Sequence, residues 1–321
     1  CVRGLTIMYP DQNVRDIQPY PWTIRGRGHN PTVLDVTFVN SYQGIDMGTE
    51  GHELHVIRNV YGCVLRRGVY VSKCTDIGRI ENVHFNPHYW LRAKPTPGAA
   101  ASPSPDDFPV LVNYLNENLE AFIFGRTDWE YCLNTFVYGF RIGYKFIEEK
   151  APSHRGGANG NFLGIGADGG RYAVYVEDAQ PMGLQITNGE FVSFAGPDPT
   201  QIVTTRSFNS VVQLNNCTFW GPAKNNARLE GNGHVSFNQC HFLQWGYEPG
   251  KDRDPQVPSI LVERGDLQIE ACRFAQPGTH LELGPKARSA IVTGNHFMGK
   301  FGMKNQSQAT LAIANNIELE K

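Results

Sequence analysis

The eight residues Val212-Gln-Leu-Asn-Asn-Cys-Thr-Phe219 decide which fold the sequence predicts. They contain two apolar residues at period two, a polar pair, a small cysteine, one variable residue and a phenylalanine. The same order of residue types recurs at 184–191, 235–242, 267–274 and 290–297, and in degenerate form at 311–318. The five phenylalanines are separated by 28, 23, 32 and 23 residues, which is typical of proteins built from stacked repeats.

Each repeat predicts a short strand, a bend and a second inward-facing segment. The alternation gives the strand one buried face, and the polar pair bends the chain because Asn and Gly tolerate left-handed backbone angles. Stacking would place Cys217, Cys240 and Cys272 in one column and the phenylalanines in another. We therefore predict an all-β, right-handed parallel β-helix (a solenoid), with residues 1–321 as a single domain. An antiparallel sandwich is the alternative.

The N-terminal half repeats less regularly than the C-terminal half. Its segments with a strand pattern, of which the last two are the weakest, are 33–38, 54–59, 80–85, 136–144 and 172–176. Two glycine-rich segments, 156–161 and 164–170, lack the lysine and the strand-to-helix context of a phosphate-binding loop. We expect both of them to be turns.

An insertion at 94–125 interrupts the series of repeats. It begins with the loop sequence KPTPGAAASPSP at 94–105, after which Asp106 or Asp107 is a candidate helix cap. Five apolar side chains then fall on one helical face: Leu111, Tyr114, Leu115, Leu119 and Phe122. The pattern predicts a short helix near 106–124, ended by Gly125, which lies against the side of the solenoid and walls a binding groove.

Composition limits the classes of function. The 29 basic and 31 acidic residues nearly balance, which argues against a nucleic-acid partner, and no stretch reaches the roughly 18 apolar residues of a membrane span. Seven cysteines cannot all pair within one chain, although Cys63 and Cys74 are candidates for a disulfide. The chain begins in what looks like a strand, so we expect its N-terminal cap to be missing; the alternative is a lipid-anchored Cys1.

The repeat pattern, which covers most of residues 30–320, resembles the pectate-lyase and polygalacturonase-like superfamily. That resemblance implies a polysaccharide or oligosaccharide substrate, bound in a groove on the outer face of one parallel sheet. It also implies a secreted or periplasmic protein, or a cell-surface lipoprotein if Cys1 is lipidated. The polygalacturonase motifs Asn-Thr-Asp, Gly-His-Gly and Arg-Ile-Lys are absent, so the chain resembles a remote member of the superfamily, and no catalytic residues are carried over from polygalacturonases.

Glycoside hydrolysis requires two carboxyl groups separated by roughly 5 to 9.5 Å. Neighbouring parallel strands lie about 4.8 Å apart, so acids one or two repeats apart meet this requirement. The candidate catalytic residues are Asp46, Asp76, Asp128 and Glu130. If Asp128 and Glu130 share the face of a strand, repulsion between them favours one protonated acid catalyst. The alternative for each is a solvated or turn-capping carboxylate.

Aromatic rings beside acids are typical of carbohydrate clefts, because ring faces stack on the apolar side of a sugar. The candidate substrate-binding residues are Trp129, Tyr131, Arg79, His88, Trp90 and Asp178. Each has a plainer alternative as a packing residue or a solvated charge. His84 and His88 have no third ligand at a suitable spacing, so the sequence predicts no metal site.

Three functions remain open, and a glycoside hydrolase without a cofactor is the first. A polysaccharide lyase of this fold would commonly use a Lys or Arg base with bound Ca²⁺ in a tight carboxylate cluster, whereas the acids here are dispersed. A non-catalytic glycan-binding β-helix, similar to a tailspike or adhesin, is the third. A tailspike-like protein would be a trimer, but nothing in the sequence sets an oligomeric state.

Overall fold

The computed structural model describes residues 1–94 and 103–320. The helices in this part of the chain are α1 (His88–Leu91) and α2 (Phe108–Asn118), with 3-10 turns at Pro105–Asp107 and Pro152–His154. The strands are β1 (Val2–Arg3), β2 (Thr6–Ile7), β3 (Trp22–Arg25), β4 (Gly28–His29), β5 (Thr32–Met47), β6 (His52–Glu53), β7 (Val56–Val71), β8 (Arg79–Phe85), β9 (Glu120–Phe124), β10 (Glu130–Tyr138), β11 (Ile142–Phe146), β12 (Ala158–Leu163), β13 (Gly166–Gly170), β14 (Tyr172–Val176), β15 (Ala179–Thr187), β16 (Glu190–Ser193), β17 (Thr200–Thr204), β18 (Val211–Asn215), β19 (Thr218–Trp220), β20 (Asn225–Leu229), β21 (His234–Asn238), β22 (His241–Phe242), β23 (Ile260–Glu270), β24 (Arg273–Phe274), β25 (Thr279–Thr293), β26 (His296–Met298), β27 (Gly302–Asn305), β28 (Thr310–Ala314) and β29 (Ile317–Leu319).

These strands form one large parallel sheet. Twenty-seven of the strands in the described part of the chain belong to it, whereas β4 and β6 pair separately. Each strand pairs in parallel with the strand one repeat further along, as in the series β12, β15, β18, β21, β23 and β25. The prediction of an all-β fold with parallel pairing is therefore confirmed.

A left-handed residue marks the same bend in successive repeats. Its φ angle lies between 51° and 68° at Asn188, Asn216, Gln239, Ala271, Gly294 and Asn315. Asn216 donates a side-chain hydrogen bond of 2.8 Å to Asn188 one repeat earlier, so the bends are linked along the stack. The predicted role of the pair is confirmed, and four of the six residues are Asn or Gly, which tolerate this conformation at the least steric cost, whereas Gln239 and Ala271 adopt it without that advantage.

The predicted cysteine and phenylalanine columns are both inside the molecule. Cys217, Cys240 and Cys272 are at most 2% exposed. The rings of Phe191, Phe219, Phe242, Phe274 and Phe297 follow one another with centroid separations of 5.6, 4.8, 4.5 and 4.9 Å. The columns supply the apolar burial that no repeat achieves alone. The expectation of a Cys63–Cys74 disulfide is wrong, since all seven cysteines are free thiols.

The inserted helix is present but shorter than expected. It ends at Asn118, and the next segment, Glu120–Phe124, is the fully buried strand β9, which pairs with β7 and β11. Five consecutive buried residues leave no solvent face for an amphipathic helix, so the apparent helical periodicity beyond Asn118 was misleading. Asp107, one of the two predicted caps, is the N-cap residue of α2, but its side chain makes no capping hydrogen bond there and instead forms a capping box with Ser104 at the preceding 3-10 turn. Most of the expected loop at 94–105 lies outside the described residues.

The two glycine-rich segments are strands rather than turns. They contain most of β12 and all of β13, and they pair with β10 on one side. A Cβ atom at Gly166 would lie 2.8 Å from the ring of Phe136, and one at Gly170 would lie 2.2 Å from the ring of Phe140. The glycines therefore make room for aromatic rings in the neighbouring repeat.

Candidate functional site

A row of polar and aromatic side chains crosses the outer face of the sheet. Strand register aligns Arg79 with Tyr131, Tyr131 with Asn161 and Asn161 with Gln185. The neighbours of this row in each strand point inward, as period-two alternation requires. The guanidinium carbon of Arg79 lies 5.9 Å from the ring centroid of Tyr131, so the predicted Arg79 and Tyr131 are side by side.

Trp129 stands beside this row and is exposed. Its side chain is 55% accessible, and its indole N–H donates a 2.8 Å hydrogen bond to the hydroxyl of Tyr131. Its φ angle of 60° places a bulky residue in the left-handed region, where such residues are rare. The main-chain N–H of Trp129 donates to the side-chain oxygen of Asn159, which holds this conformation. Strained residues cluster at functional sites, which favours a role for Trp129 in binding.

A small open pocket lies against Trp129. Its volume is about 100 Å³, and its lining residues are Asp128, Trp129, Asn159, Gly160, Asn161, Met182, Gly183 and Gln185. Met182 is 62% exposed and supplies an apolar wall opposite the amide side chains. Asp128 is half-buried and lies 3.7 Å from Arg126. The pocket thus combines an indole face, amide groups and one carboxylate, a mixture suited to a sugar ring.

Asp76, Asp128 and Asp178 each lie just before a strand, β8, β10 and β15 respectively. We call this edge of the sheet the corner. The main-chain N–H of Cys74 donates to Arg126, and that of Tyr131 donates to Gly78, so the segment carrying Asp76 runs beside the one carrying Asp128. Asp76 is exposed. On the far side, Asp178 packs against Gly157, and burial followed by the nearby charge of Glu148 raises the pKa of Asp178.

Glu130 and Asp128 do not share a face, so that expectation is wrong. The left-handed turn at Trp129 interrupts the alternation, and Glu130 points into the interior with no exposed surface. Its Oε1 lies 3.1 Å from Nε2 of His55, whereas Oε2 is buried without a hydrogen-bond partner. An acid in this position cannot reach a substrate on the outer face.

Gly78 creates the space in which Glu130 and His55 meet. A Cβ atom on Gly78 would lie 2.0 Å from Cε1 of His55 and 2.6 Å from Oε2 of Glu130. Burial by itself would lower the pKa of His55, but the carboxylate of Glu130 outweighs it and holds that pKa well above its ordinary value. The result is a buried ion pair that bridges two repeats across a glycine.

His52 and Cys74 extend this buried cluster. Nε2 of His52 lies 2.9 Å from Nδ1 of His55, and the same Nδ1 lies 3.7 Å from the sulfur of Cys74. Burial, followed by the charge on His55, lowers the pKa of His52 to about 4. Sequence reasoning missed this cluster. The available signal was a pair of histidines three residues apart with a cysteine one repeat later.

Asp46 is a buried residue near the end of β5 that caps the following turn. It is 1% exposed, one oxygen accepts hydrogen bonds of 2.9 Å from the main chains of Gly48 and Thr49, and the other pairs with Arg25 at 3.0 Å. With both oxygens occupied, the geometry fits the turn-capping alternative rather than catalysis.

His88 and Trp90 lie on α1, away from the pocket beside Trp129. Trp90 is 1% exposed, which leaves it no face for a ligand. His88 stacks on Phe108 of the following helix at a centroid distance of 5.1 Å, and burial lowers its pKa. His88 therefore contacts the inserted helix, and Trp90 belongs to the buried core.

The inserted helix does wall a groove, as the sequence suggested. The groove has a volume of about 550 Å³, and the residues that line it include Asn113, Asn116, Glu117, Arg141, Arg171 and Phe194. Glu117 is its single carboxylate, and Arg141 is already paired with Glu120. The pocket beside Trp129 is also lined by one carboxylate, Asp128, but a second exposed acid, Asp76, lies on the adjacent repeat.

We compared the chain with known proteins and found no family model, no curated protein and no solved structure that matches it. Within residues 1–94 and 103–320, the structure contains no helix with the length and apolar character needed to cross a bilayer.

Proposed function

We propose that the chain is a right-handed parallel β-helix that binds a polysaccharide or oligosaccharide on its flank and hydrolyses it. Trp129 and Tyr131 would stack on sugar rings, while Asn161 and Gln185 would bond to hydroxyl groups. Asp128 and Asp76 would act as the carboxyl pair, one as general acid and the other as base or nucleophile. The observation that carries the proposal is the exposed, strained Trp129 next to Asp128 above a row of amide side chains.

The electrostatics of the corner support the choice of Asp76 and Asp128 among the acids of the predicted set. Asp46 and Glu130 are themselves buried and already paired, whereas Asp76 and Asp128 reach solvent on adjacent repeats. Adjacent repeats bring carboxyl groups within the range that retaining and inverting hydrolases use. Among the described residues, no group of clustered acids that could hold a metal ion was found, which disfavours a Ca²⁺-dependent lyase.

A non-catalytic glycan-binding protein is the second candidate. It is favoured by the ion pair between Asp128 and Arg126, which engages the one acid that lines the pocket. The two candidates differ in turnover rather than in binding, so they are separated by measuring both with the same variants.

The test is a screen of the full chain against neutral and uronic-acid polysaccharides, with release of reducing ends and formation of unsaturated products as separate readouts. For a hydrolase, we expect Asp128→Asn and Asp76→Asn each to lower kcat by roughly 10²- to 10⁴-fold. Trp129→Ala should weaken glycan binding by about two- to tenfold, because a stacked ring contributes on the order of 1 kcal/mol.

Matched controls separate these effects from general damage. Trp220→Ala removes another exposed tryptophan, and Asp252→Asn removes another exposed acid. Both should leave binding and turnover unchanged. Binding that is lost in Trp129→Ala without turnover on any substrate would support the second candidate. Equal binding by Trp129→Ala and the unaltered chain would overturn the proposed cleft.

A further inference from the structure

We propose that His52, His55 and Cys74 form a binding site for a divalent transition metal of the Zn²⁺ class. The three side chains offer Nε2, Nδ1 and Sγ, which all lie within 4.8 Å of one another. Two imidazoles and a thiolate are ligands that Zn²⁺ prefers, whereas Ca²⁺ and Mg²⁺ require oxygen atoms. This site is separate from the glycan cleft and goes beyond the proposed function.

Two of the three ligand separations are close to those of tetrahedral coordination. Bond lengths of about 2.0 Å to nitrogen and 2.3 Å to sulfur imply ligand separations of roughly 3.3 to 3.6 Å. Nε2 of His52 and Nδ1 of His55 are 2.9 Å apart, and Nδ1 of His55 is 3.7 Å from the sulfur of Cys74. These two separations differ from the tetrahedral values by a few tenths of an ångström, and the third, between Nε2 of His52 and the sulfur of Cys74, is at most 4.8 Å.

Glu130 contacts the ring nitrogen of His55 that would not bind the metal ion. Its carboxylate lies 3.1 Å from Nε2 of His55, the nitrogen that does not face the other ligands. A carboxylate on the second nitrogen of a ligating histidine fixes the ring orientation and makes it a stronger ligand. This explains why an acid occupies an inward position of β10, next to Gly78, which leaves room for it.

Burial rules out a nucleophilic role for the same residues. Cys74, His55 and Glu130 have the order of a nucleophile, a base and an orienting acid, but each of them is at most 1% exposed. A polysaccharide cannot reach them, whereas a metal ion can be incorporated while the chain folds.

Binding of the metal ion releases two protons from the site. Without metal, the thiol of Cys74 donates to the main-chain carbonyl of Asp76, and one proton is shared between His52 and His55. The ion replaces both protons and bonds to a thiolate and two neutral imidazole nitrogens. Three protein ligands leave one position for a water molecule.

The site ties together three consecutive repeats. His52 and His55 precede β7, Cys74 precedes β8, and Glu130 begins β10. Cys74 is also two residues before Asp76, and its carbonyl accepts a hydrogen bond from Arg126, the ion-pair partner of Asp128. A bound ion would therefore fix the corner from which the glycan cleft is built.

The test uses the untagged full chain after dialysis against a chelator, titrated with Zn²⁺ and, as a spectroscopic probe, with Co²⁺. We expect one ion per chain, with a thiolate-to-cobalt charge-transfer band and the intense visible bands of a tetrahedral complex. Cys74→Ala should remove the charge-transfer band. Glu130→Gln, which keeps the three ligands, should weaken binding by about 10- to 100-fold.

Two variants keep the result interpretable. Cys240→Ala removes another buried thiol and should keep the full cobalt spectrum. His52→Gln removes the ligand with no ion pair, so it should lose the metal and still fold. Less than one ion for every ten chains, or a charge-transfer band that persists in Cys74→Ala, would overturn the site. Because the cleft is tested by Trp129→Ala, the two proposals can fail independently.

Discussion

One inward-facing column of side chains contains a charged residue in the N-terminal half of the molecule and apolar residues in the C-terminal half. Strand register runs from Glu130 through Gly160 to Leu184, and onward through apolar residues to Leu267 and Ala290. In the N-terminal half, Glu130 shares its site with His55; in the C-terminal half, Leu184 packs among apolar neighbours. The same backbone position therefore accepts either a hydrophobe or a charge, provided that the charge meets a buried partner.

The difference shows in which part of the chain the repeat pattern no longer predicts the structure. A regular column needs only burial, so its residues can be exchanged between repeats. The polar section depends on His55 and Glu130, which come from different repeats, and on Gly78, which leaves room for both of them. Irregularity in a repeat protein thus points to residues retained for a reason other than packing.

The largest expected effect comes from replacing Glu130, the charged residue of this column, with the leucine found at Leu184 in its apolar part. Glu130→Leu should lower the free energy of unfolding by roughly 3 to 5 kcal/mol in metal-free buffer, because it leaves His55 buried without its counter-charge. Urea denaturation followed by fluorescence measures this change.

Two further variants serve as controls for that result. Leu184→Met, a volume-conserving change in the apolar section of the column, should cost less than about 1.5 kcal/mol. Adding His55→Leu to Glu130→Leu should recover much of the loss, since no charge then remains buried. A loss below 1 kcal/mol for Glu130→Leu alone would mean that the ion pair does not form.

The next effect concerns His280, a buried histidine of the C-terminal half whose pKa is lowered, in contrast to that of His55. His280 lies among aromatic rings, where Nδ1 accepts a 3.0 Å hydrogen bond from Gly302 and Nε2 donates one of 3.2 Å to Gln276. Burial lowers its pKa to about 4, so the folded state resists a proton that the unfolded chain binds near pH 6.5. Its contribution is complete above pH 6.5 and is lost as the pH falls towards 4.

We expect this linkage to reach roughly 3 kcal/mol at pH 4. Because other groups titrate in the same range, the measurement is the difference between the unaltered chain and His280→Gln, whose amide can keep both hydrogen bonds. The variant should have the flatter profile of unfolding free energy between pH 6.5 and 4. Parallel profiles would contradict a neutral His280.

The smallest expected effect concerns the space between the two charged residues. Gly78→Ala introduces a methyl group where His55 and Glu130 meet, and we expect a cost of about 1 to 3 kcal/mol from overpacking. Gly51→Ala is the control, because the nearest atoms to its new Cβ would be at 3.8 Å, an ordinary contact distance. Equal urea midpoints for the two variants would show that the pair does not need the glycine.

Much of the architecture could be predicted because its causes are local. The Asn-Asn bend at 215–216 and the inward Cys217 and Phe219 follow from residue types a few positions apart. The errors arose where a neighbouring repeat decides the outcome. Gly166 and Gly170 are strand residues of β13 because the rings of Phe136 and Phe140 occupy the space that side chains would need. Phe122 is a strand residue because β7 and β11 pair with β9 on both sides.

By itself, the sequence determined the all-β class, the parallel stacking of repeats and the two buried columns, because periodicity and turn chemistry act over short distances. It also pointed to Trp129, Tyr131, Arg79 and Asp128, which the structure brings to one corner. Only the tertiary structure decided that Glu130 faces inward and joins His55 to His52 and Cys74. Those contacts link residues up to 75 positions apart, and strand register alone brings them together.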